Sequence, residues 1–180
     1  MAEIHPTATV ADGAVIGLGC RIGPGCVIGP GVVLEDNVEL IAHVVIEGST
    51  RLAAGVRVFP FATIGMAPQD LKYKNEPTGC TVGAGTLVRE GVTVHRASVG
   101  GTGTTVVGAS CMLMATAHVA HDCVVGDGVI LANNVMLGGH VHVDAGAFIG
   151  GGAAVHQTVR IGRLAMVSGL AGVTNDIPPF

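Results

Sequence analysis

Four of the eight histidines crowd into two short stretches, Ala117-His118-Val119-Ala120-His121-Asp122-Cys123 and Gly138-Gly139-His140-Val141-His142. Imidazole can take a proton near neutral pH. A carboxylate beside it, here Asp122, orients the ring and stabilises its charged form. A glycine backbone N–H nearby can hold the oxyanion of an acyl-transfer intermediate. The same side chains can also bind a metal, or simply be surface histidines at turns. Choosing among these readings requires knowing what holds the two stretches together.

The rest of the chain supplies that element. An aliphatic residue returns every six positions: Ile4, Val10, Ile16, Ile22, Ile28, and so on to Ile64. The series resumes at Val82, Val88 and Val94, and again from Val107 to Val173. Four residues after most anchors sits a small or β-branched residue, such as Ala8, Cys20, Val32, Thr50, Ala117 or Ala153. Neither an α-helix nor an ordinary amphipathic strand has this period. It describes a short strand, a sharp corner and another strand. Three of these close a triangular coil of 18 residues, and the coils stack as parallel sheet. The expectation is an all-β parallel β-helix of about nine coils in one domain covering residues 1–180. Glycine is frequent just after the anchor (Ile16-Gly17, Ile22-Gly23, Ile28-Gly29), where the corner is expected to need unusual dihedrals. Cys20, Cys26, Cys111 and Cys123 occupy the small inward position and read as buried free thiols. Asn175-Asp176-Ile177-Pro178-Pro179 is expected to stop the last coil, because prolines cannot continue sheet pairing.

The period also works as a ruler. Eighteen residues per coil place Gly139 over His121 and His140 over Asp122. One corner then holds an imidazole, a carboxylate, a second imidazole and a glycine backbone.

Composition narrows the partners. The chain of 180 residues is 49% hydrophobic and 12% charged, with net charge −4 and lysines only at 72 and 74. No basic patch suggests nucleic-acid binding, and no apolar run is long enough to span a membrane. No signal peptide is visible at the N-terminus. Five cysteines without metal-ligand spacing fit a reducing cytoplasm, so a cytoplasmic location is expected.

The repeat breaks twice. Near 65–81 lies the most polar stretch, with Gln69, Asp70, both lysines and the one tyrosine. Polar loops on a rigid scaffold often carry function. Near 95–106, His95-Arg96 precedes Gly100, Gly101 and Gly103, and the spacing from Val94 to Val107 is one residue too long for the repeat. Gly101-Thr102-Gly103 matches a phosphate cradle only in part, because no helix follows it.

Several motifs together carry a resemblance. They are Gln69-Asp70-Leu71-Lys72-Tyr73 with Glu76-Pro77-Thr78, Arg89-Glu90-Gly91-Val92-Thr93-Val94-His95-Arg96, and the His118–Cys123 stretch. Leu131-Ala132-Asn133-Asn134 and Ala154-Val155-His156-Gln157 complete the set. With the hexads, they closely resemble the acyl-[acyl-carrier-protein]–UDP-N-acetylglucosamine O-acyltransferase family along essentially the whole chain. The resemblance implies a left-handed parallel β-helix, although parallel crossovers are otherwise right-handed. It implies the first step of lipid A biosynthesis, in which a 3-hydroxyacyl chain moves from acyl carrier protein to the 3-position of UDP-N-acetylglucosamine.

By position, the resemblance makes His121 the general base, Asp122 its support and the Gly139 N–H the oxyanion donor. Asp70, His118 and His140 would hold the sugar. Gln69 and Lys72 would lie along the nucleotide or pantetheine cleft, with His95 near it and His156 and Gln157 near the nucleotide. Gly169 falls where the family sets acyl-chain length, and a glycine leaves room for a longer chain. No cofactor or metal is implied, and a homotrimer with sites between subunits is. The family continues into a C-terminal helical domain that this sequence lacks. Arg160 and Arg163 are candidates to replace charge which that domain supplies. Three other readings stay open: a short paralogue acting on another nucleotide amino sugar, one using acyl-CoA, or a non-catalytic β-helix trimer.

Overall fold

The computed structural model describes residues 1–180, and its regular structure is entirely β. Twenty-six short strands, most of two residues, form three parallel sheets of nine, nine and eight strands. Successive strands go to successive sheets, so each circuit of three makes one coil, and there are nine coils, the last with strands in only two of the sheets. The first sheet runs from Glu3–Ile4 to Met166–Val167, the second from Thr9–Val10 to Gly172–Val173, and the third from Val15–Ile16 to Arg160–Ile161. Away from the two breaks the register offset is 18, as where Ile4 lies opposite Ile22 and Val119 opposite Leu137.

The two inward positions of each hexad make the core. Large anchors such as Leu34, Ile64, Leu113 and Leu131 are no more than 1% exposed, and small partners such as Cys26, Val38, Ala62 and Ala117 are fully buried. Each fully buried Leu or Ile contributes about 1.5–3 kcal/mol. These contributions are spread along the axis, so each coil depends on its neighbours. The inward cysteines are free and buried. Three of their thiols donate to corner carbonyls of the next coil: Cys20 to Glu35 at 3.0 Å, Cys111 to Gly126 at 3.1 Å and Cys123 to Gly138 at 3.1 Å.

The corner glycines differ from the sequence expectation. Left-handed dihedrals fall three residues after the anchor, at Gly13, Gly19, Gly25 and Gly31, and at non-glycines such as Asn37, Asp122, Asn134 and His140. Most glycines directly after the anchor, such as Gly17 and Gly126, have ordinary φ, whereas Gly65 after Ile64 is left-handed at φ 78. Those with ordinary φ are required by close approach of the next coil. A β-carbon on Gly17 would stand 2.6 Å from the carbonyl carbon of Glu35, and one on Gly126 would stand 2.7 Å from the nitrogen of Ala145.

Both breaks fall at the corner between the second and third sheets, in consecutive coils. The first leaves after Thr63–Met66 and returns at Gly79–Val82, so the irregular path is 67–78, tighter than the sequence boundaries of 65–81. The second runs from Thr93–His95 to Thr104–Val107, leaving 96–103 irregular instead of 95–106. The leading flanks, 65–66 and 95, have joined the second sheet, where Met66 pairs with His95, and the trailing flanks have joined the third. Ser49–Leu52, Gly79–Val82 and Thr104–Val107 are all four residues long, and Gly79 pairs with Ser49 on one side and Thr104 on the other. At the far end Ile177 makes one parallel bridge to Ile161, and after Pro178 and Pro179 the Phe180 N–H donates to the Arg163 carbonyl.

Candidate active site

Because both excursions leave from one corner, five consecutive coils stack functional groups in a column there. The excursion 67–78 comes first, then 96–103. His121–Asp122 follows, between His118–Val119 and Val124–Val125. Gly138-Gly139-His140 comes next, between Met136–Leu137 and His142–Val143. His156–Gln157 is last, between Ala154–Val155 and Arg160–Ile161.

Asp122 is the anchor of this column. Its side chain is fully buried, and its backbone sits in the left-handed region at φ 59. Its N–H donates to Thr105 Oγ1 at 2.9 Å. Its Oδ2 accepts from the Ser98 N–H at 2.9 Å and lies 2.9 Å from His121 Nδ1. Oδ1 is buried without a hydrogen-bond partner and faces Gly101, where a β-carbon would overlap the carboxylate. The carboxylate can only accept, so it selects the His121 tautomer with the proton on Nδ1, leaving the Nε2 lone pair free.

Gly139 lies against that free edge. A β-carbon on it would stand 2.6 Å from both Nε2 and Cε1 of His121. The His140 N–H donates to the His121 carbonyl at 3.0 Å, and the Cys123 thiol holds the Gly138 carbonyl. The Gly139 N–H makes no hydrogen bond within the chain. It therefore remains available to a ligand.

A cleft of about 460 Å³ opens beside this pair. Six of the twelve site residues expected from sequence line it: Gln69, His95, His118, His121, Gly139 and Gln157. Ala120, Met136, Leu137, Ala154 and Val155 make an apolar wall. His118 Nδ1 pairs with Thr93 Oγ1 at 2.6 Å, and its ring stands edge-on to His95, with centroids 4.8 Å apart. Burial pushes the His95 pKa down to about 4, helped by His118 and His121. Burial, then His121, also lowers that of His118. Both are neutral at pH 7.

The other expected residues except Gly169 lie around the cleft. Asp122 is behind His121. His140 is exposed, with its ring edge-on to His121 at 5.1 Å. Asp70 accepts from the Lys72 N–H at 3.0 Å and the Ser98 hydroxyl at 2.7 Å, and these bonds, in that order, hold its pKa below the usual carboxylate range. Lys72 and His156 are exposed. Gly169 is not brought to the cleft of a single chain. It sits at a different corner, between the first and second sheets, against Gly151. His121, Asp122 and His140 offer metal-ligand atoms within 4.8 Å of one another, although His121 and Asp122 are bonded to each other.

Of the three residues that seat Asp122, the sequence reading missed Ser98 and Thr105 and took Gly101 only as part of a partial phosphate cradle. Their one signal was the overlong spacing with its glycines. The second excursion cradles the protein's own carboxylate rather than a phosphate. Arg96 was quoted only as part of a motif. It donates to the Tyr73 hydroxyl at 2.9 Å and the Gly65 carbonyl at 2.8 Å, fastening the first excursion to the second.

A triangular parallel β-helix with a carboxylate-backed histidine at a coil corner defines a hexapeptide-repeat acyltransferase. Residues 104–139 match the family model described as bacterial transferase hexapeptide (six repeats). An acyl-[acyl-carrier-protein]–UDP-N-acetylglucosamine O-acyltransferase from Anaeromyxobacter sp. is 53% identical over 98% of this chain and 69% of its own length. One from Rhizobium johnstonii is 49% identical over 99% of this chain and 66% of its own. The structure of LpxA from Acinetobacter baumannii superposes with a TM-score of 0.97 at 40% identity, covering 98% of this chain and 69% of that one. The chain belongs to the acyl-[acyl-carrier-protein]–UDP-N-acetylglucosamine O-acyltransferase family, with its left-handed parallel β-helix. It spans about two thirds of the length of these relatives.

Proposed function

We propose that the chain moves a 3-hydroxyacyl group from the thioester of acyl carrier protein to the 3-hydroxyl of UDP-N-acetylglucosamine, the opening reaction of lipid A biosynthesis. One observation carries the reading. The free Nε2 edge of His121, set by Asp122, lies against Gly139, whose N–H is unpaired. His121 Nε2 takes the proton of the sugar hydroxyl, and the oxygen attacks the thioester carbonyl. The Gly139 N–H holds the resulting oxyanion. Collapse breaks the carbon–sulfur bond, and the departing thiolate receives the proton back from His121. Neutral His95 and His118 leave no fixed positive charge in the cleft to oppose the imidazolium.

Gln69, Asp70, Lys72, His118, His140, His156 and Gln157 bind the nucleotide sugar and the carrier arm. The apolar wall of Met136, Leu137 and Val155 suits an acyl chain. The cleft is open on one side, and the exposed Gly169 of a neighbouring copy completes the acyl groove in a cytoplasmic homotrimer. No helix of the structure is long and apolar enough to cross a membrane.

The test is turnover of a 3-hydroxyacyl carrier protein thioester with UDP-N-acetylglucosamine. Wild type is expected to form the O-acylated sugar and free carrier protein, and His121→Ala to lose nearly all turnover. Full activity in His121→Ala overturns the reading. Equal turnover of acetyl-CoA would favour the acyl-CoA alternative.

A further inference from the structure

Asp70 and Asp122 lie on excursion and coil segments separated by most of two coils, yet one residue joins them. The Ser98 backbone N–H donates to Asp122 Oδ2 at 2.9 Å, and its hydroxyl donates to Asp70 Oδ2 at 2.7 Å. Ser98 is 2% exposed, so both bonds run from a water-poor site to a carboxylate, the setting in which such bonds are strong. The Asp70 side chain accepts one other hydrogen bond, from the Lys72 N–H within its own loop, and the Asp70 carbonyl accepts from the Tyr73 N–H of the same loop. The Ser98 hydroxyl is therefore what ties the Asp70 side chain to the rest of the column. Two residues earlier, Arg96 donates to the Tyr73 hydroxyl, and the Ala97 carbonyl accepts from the Thr78 hydroxyl, so the same short segment grips the first excursion at three points.

We propose that Ser98 is a positioning residue that holds the sugar-binding carboxylate Asp70 in register with the His121–Asp122 pair. It acts through Asp70 and does not touch the reacting atoms. The assignment of Asp70 to the sugar rests on the function proposed above, but the clamp itself does not. Its two halves separate under mutation. The bond to Asp122 comes from the backbone and survives any side chain at 98, whereas the bond to Asp70 needs a hydroxyl.

Steady-state kinetics with the carrier-protein thioester and UDP-N-acetylglucosamine test it. Ser98→Ala is expected to raise the KM for the nucleotide sugar about five- to tenfold, the weight of one side-chain hydrogen bond. kcat is expected to stay within about twofold, and Ser98→Thr to restore the wild-type KM. Because the effect passes through Asp70, Ser98→Ala should add nothing further to Asp70→Ala. An unchanged KM in Ser98→Ala, a fall in kcat with KM unmoved, or full additivity with Asp70→Ala overturns the proposal. If Ser98→Ala does not fold, Ser98→Cys keeps the volume with a poor donor and is read the same way.

Amide hydrogen exchange separates this proposal from the function. The Lys72 N–H, which Asp70 Oδ1 receives, should exchange several-fold faster in Ser98→Ala than in wild type. Faster exchange supports the clamp even if wild type fails to turn over these substrates, which would defeat only the function. Unchanged exchange overturns the clamp.

Discussion

Gly101 backs directly onto the buried carboxylate of Asp122, leaving no room for a side chain between the second excursion and the coil beneath it. Its φ is not left-handed, so alanine is allowed there on dihedral grounds, and the whole conflict is the added methyl against Oδ1. Gly101→Ala is expected to push Asp122 off His121 Nδ1 and lower kcat by about 10²-fold, the weight of a positioned general base. Melting should change little, because the loop is exposed. Unchanged kcat in this variant would show that the carboxylate does not need its seat.

Gly139→Ala tests the other side of the imidazole. The added methyl would stand 2.6 Å from Nε2, in the space a reacting hydroxyl must occupy. Turnover should fall by at least about 10²-fold, with the fold intact by circular dichroism. Near-normal turnover would remove Gly139 from the site.

His95 gives a pH dependence of stability. Its pKa in the folded chain is about 4, against an ordinary value of 6.5. Between these values the unfolded chain binds the extra proton, so stability is fully present above pH 6.5 and falls as the pH drops towards 4. For this one group the slope reaches about 1.4 kcal/mol per pH unit. Denaturant midpoints measured from about pH 7 to pH 4 should drop, and His95→Gln should flatten the lower part of the curve. Identical slopes in the two proteins would contradict the assignment.

The thiols should be silent in the folded protein. Burial pushes Cys80 and Cys123 up to about 12, and all five cysteines are buried and free. The thiolate is the reactive form. A colorimetric thiol reagent at about pH 8 is therefore expected to count close to zero in native protein and all five in denaturant. Rapid native labelling of even one thiol would mean that a corner opens.

Metal removal bears on the cluster of His121, Asp122 and His140. If the imidazole acts as a base, prolonged dialysis against a chelator should leave turnover unchanged. Loss of activity restored by zinc would assign the cluster to a metal instead.

How much of this was legible from sequence varied along the chain. The strands, the three sheets and the nine coils followed from the hexads, because an anchor every sixth residue can be buried in only one kind of coil. Beyond Val107 no insertion disturbs the register, so counting 18 placed Gly139 over His121 and His140 over Asp122, and Val119 opposite Leu137 marks the same offset. The count fails where coils are longer. Leu52 lies opposite Val82, thirty residues on, and Val82 lies opposite Val107, twenty-five residues on. The corner glycines were also only half legible. Composition marked them, but whether a glycine answers a left-handed φ, as at Gly19, or the pressure of the next coil, as at Gly17, depends on atoms a full coil away.

The order of residues was therefore enough for the repeating part of this protein and for the side chains that do its chemistry. Burial of apolar side chains is periodic, and a period can be counted. How those side chains are held emerged only from the folded chain. Ser98 and Gly101 reach Asp122, and Arg96 reaches Tyr73, along segments with no period, and Thr105 joins them from the strand that follows. Their paths are set by single hydrogen bonds of about a kcal/mol each between residues distant in sequence. Nothing in the residue order announces such bonds until the two excursions are seen leaving the same corner.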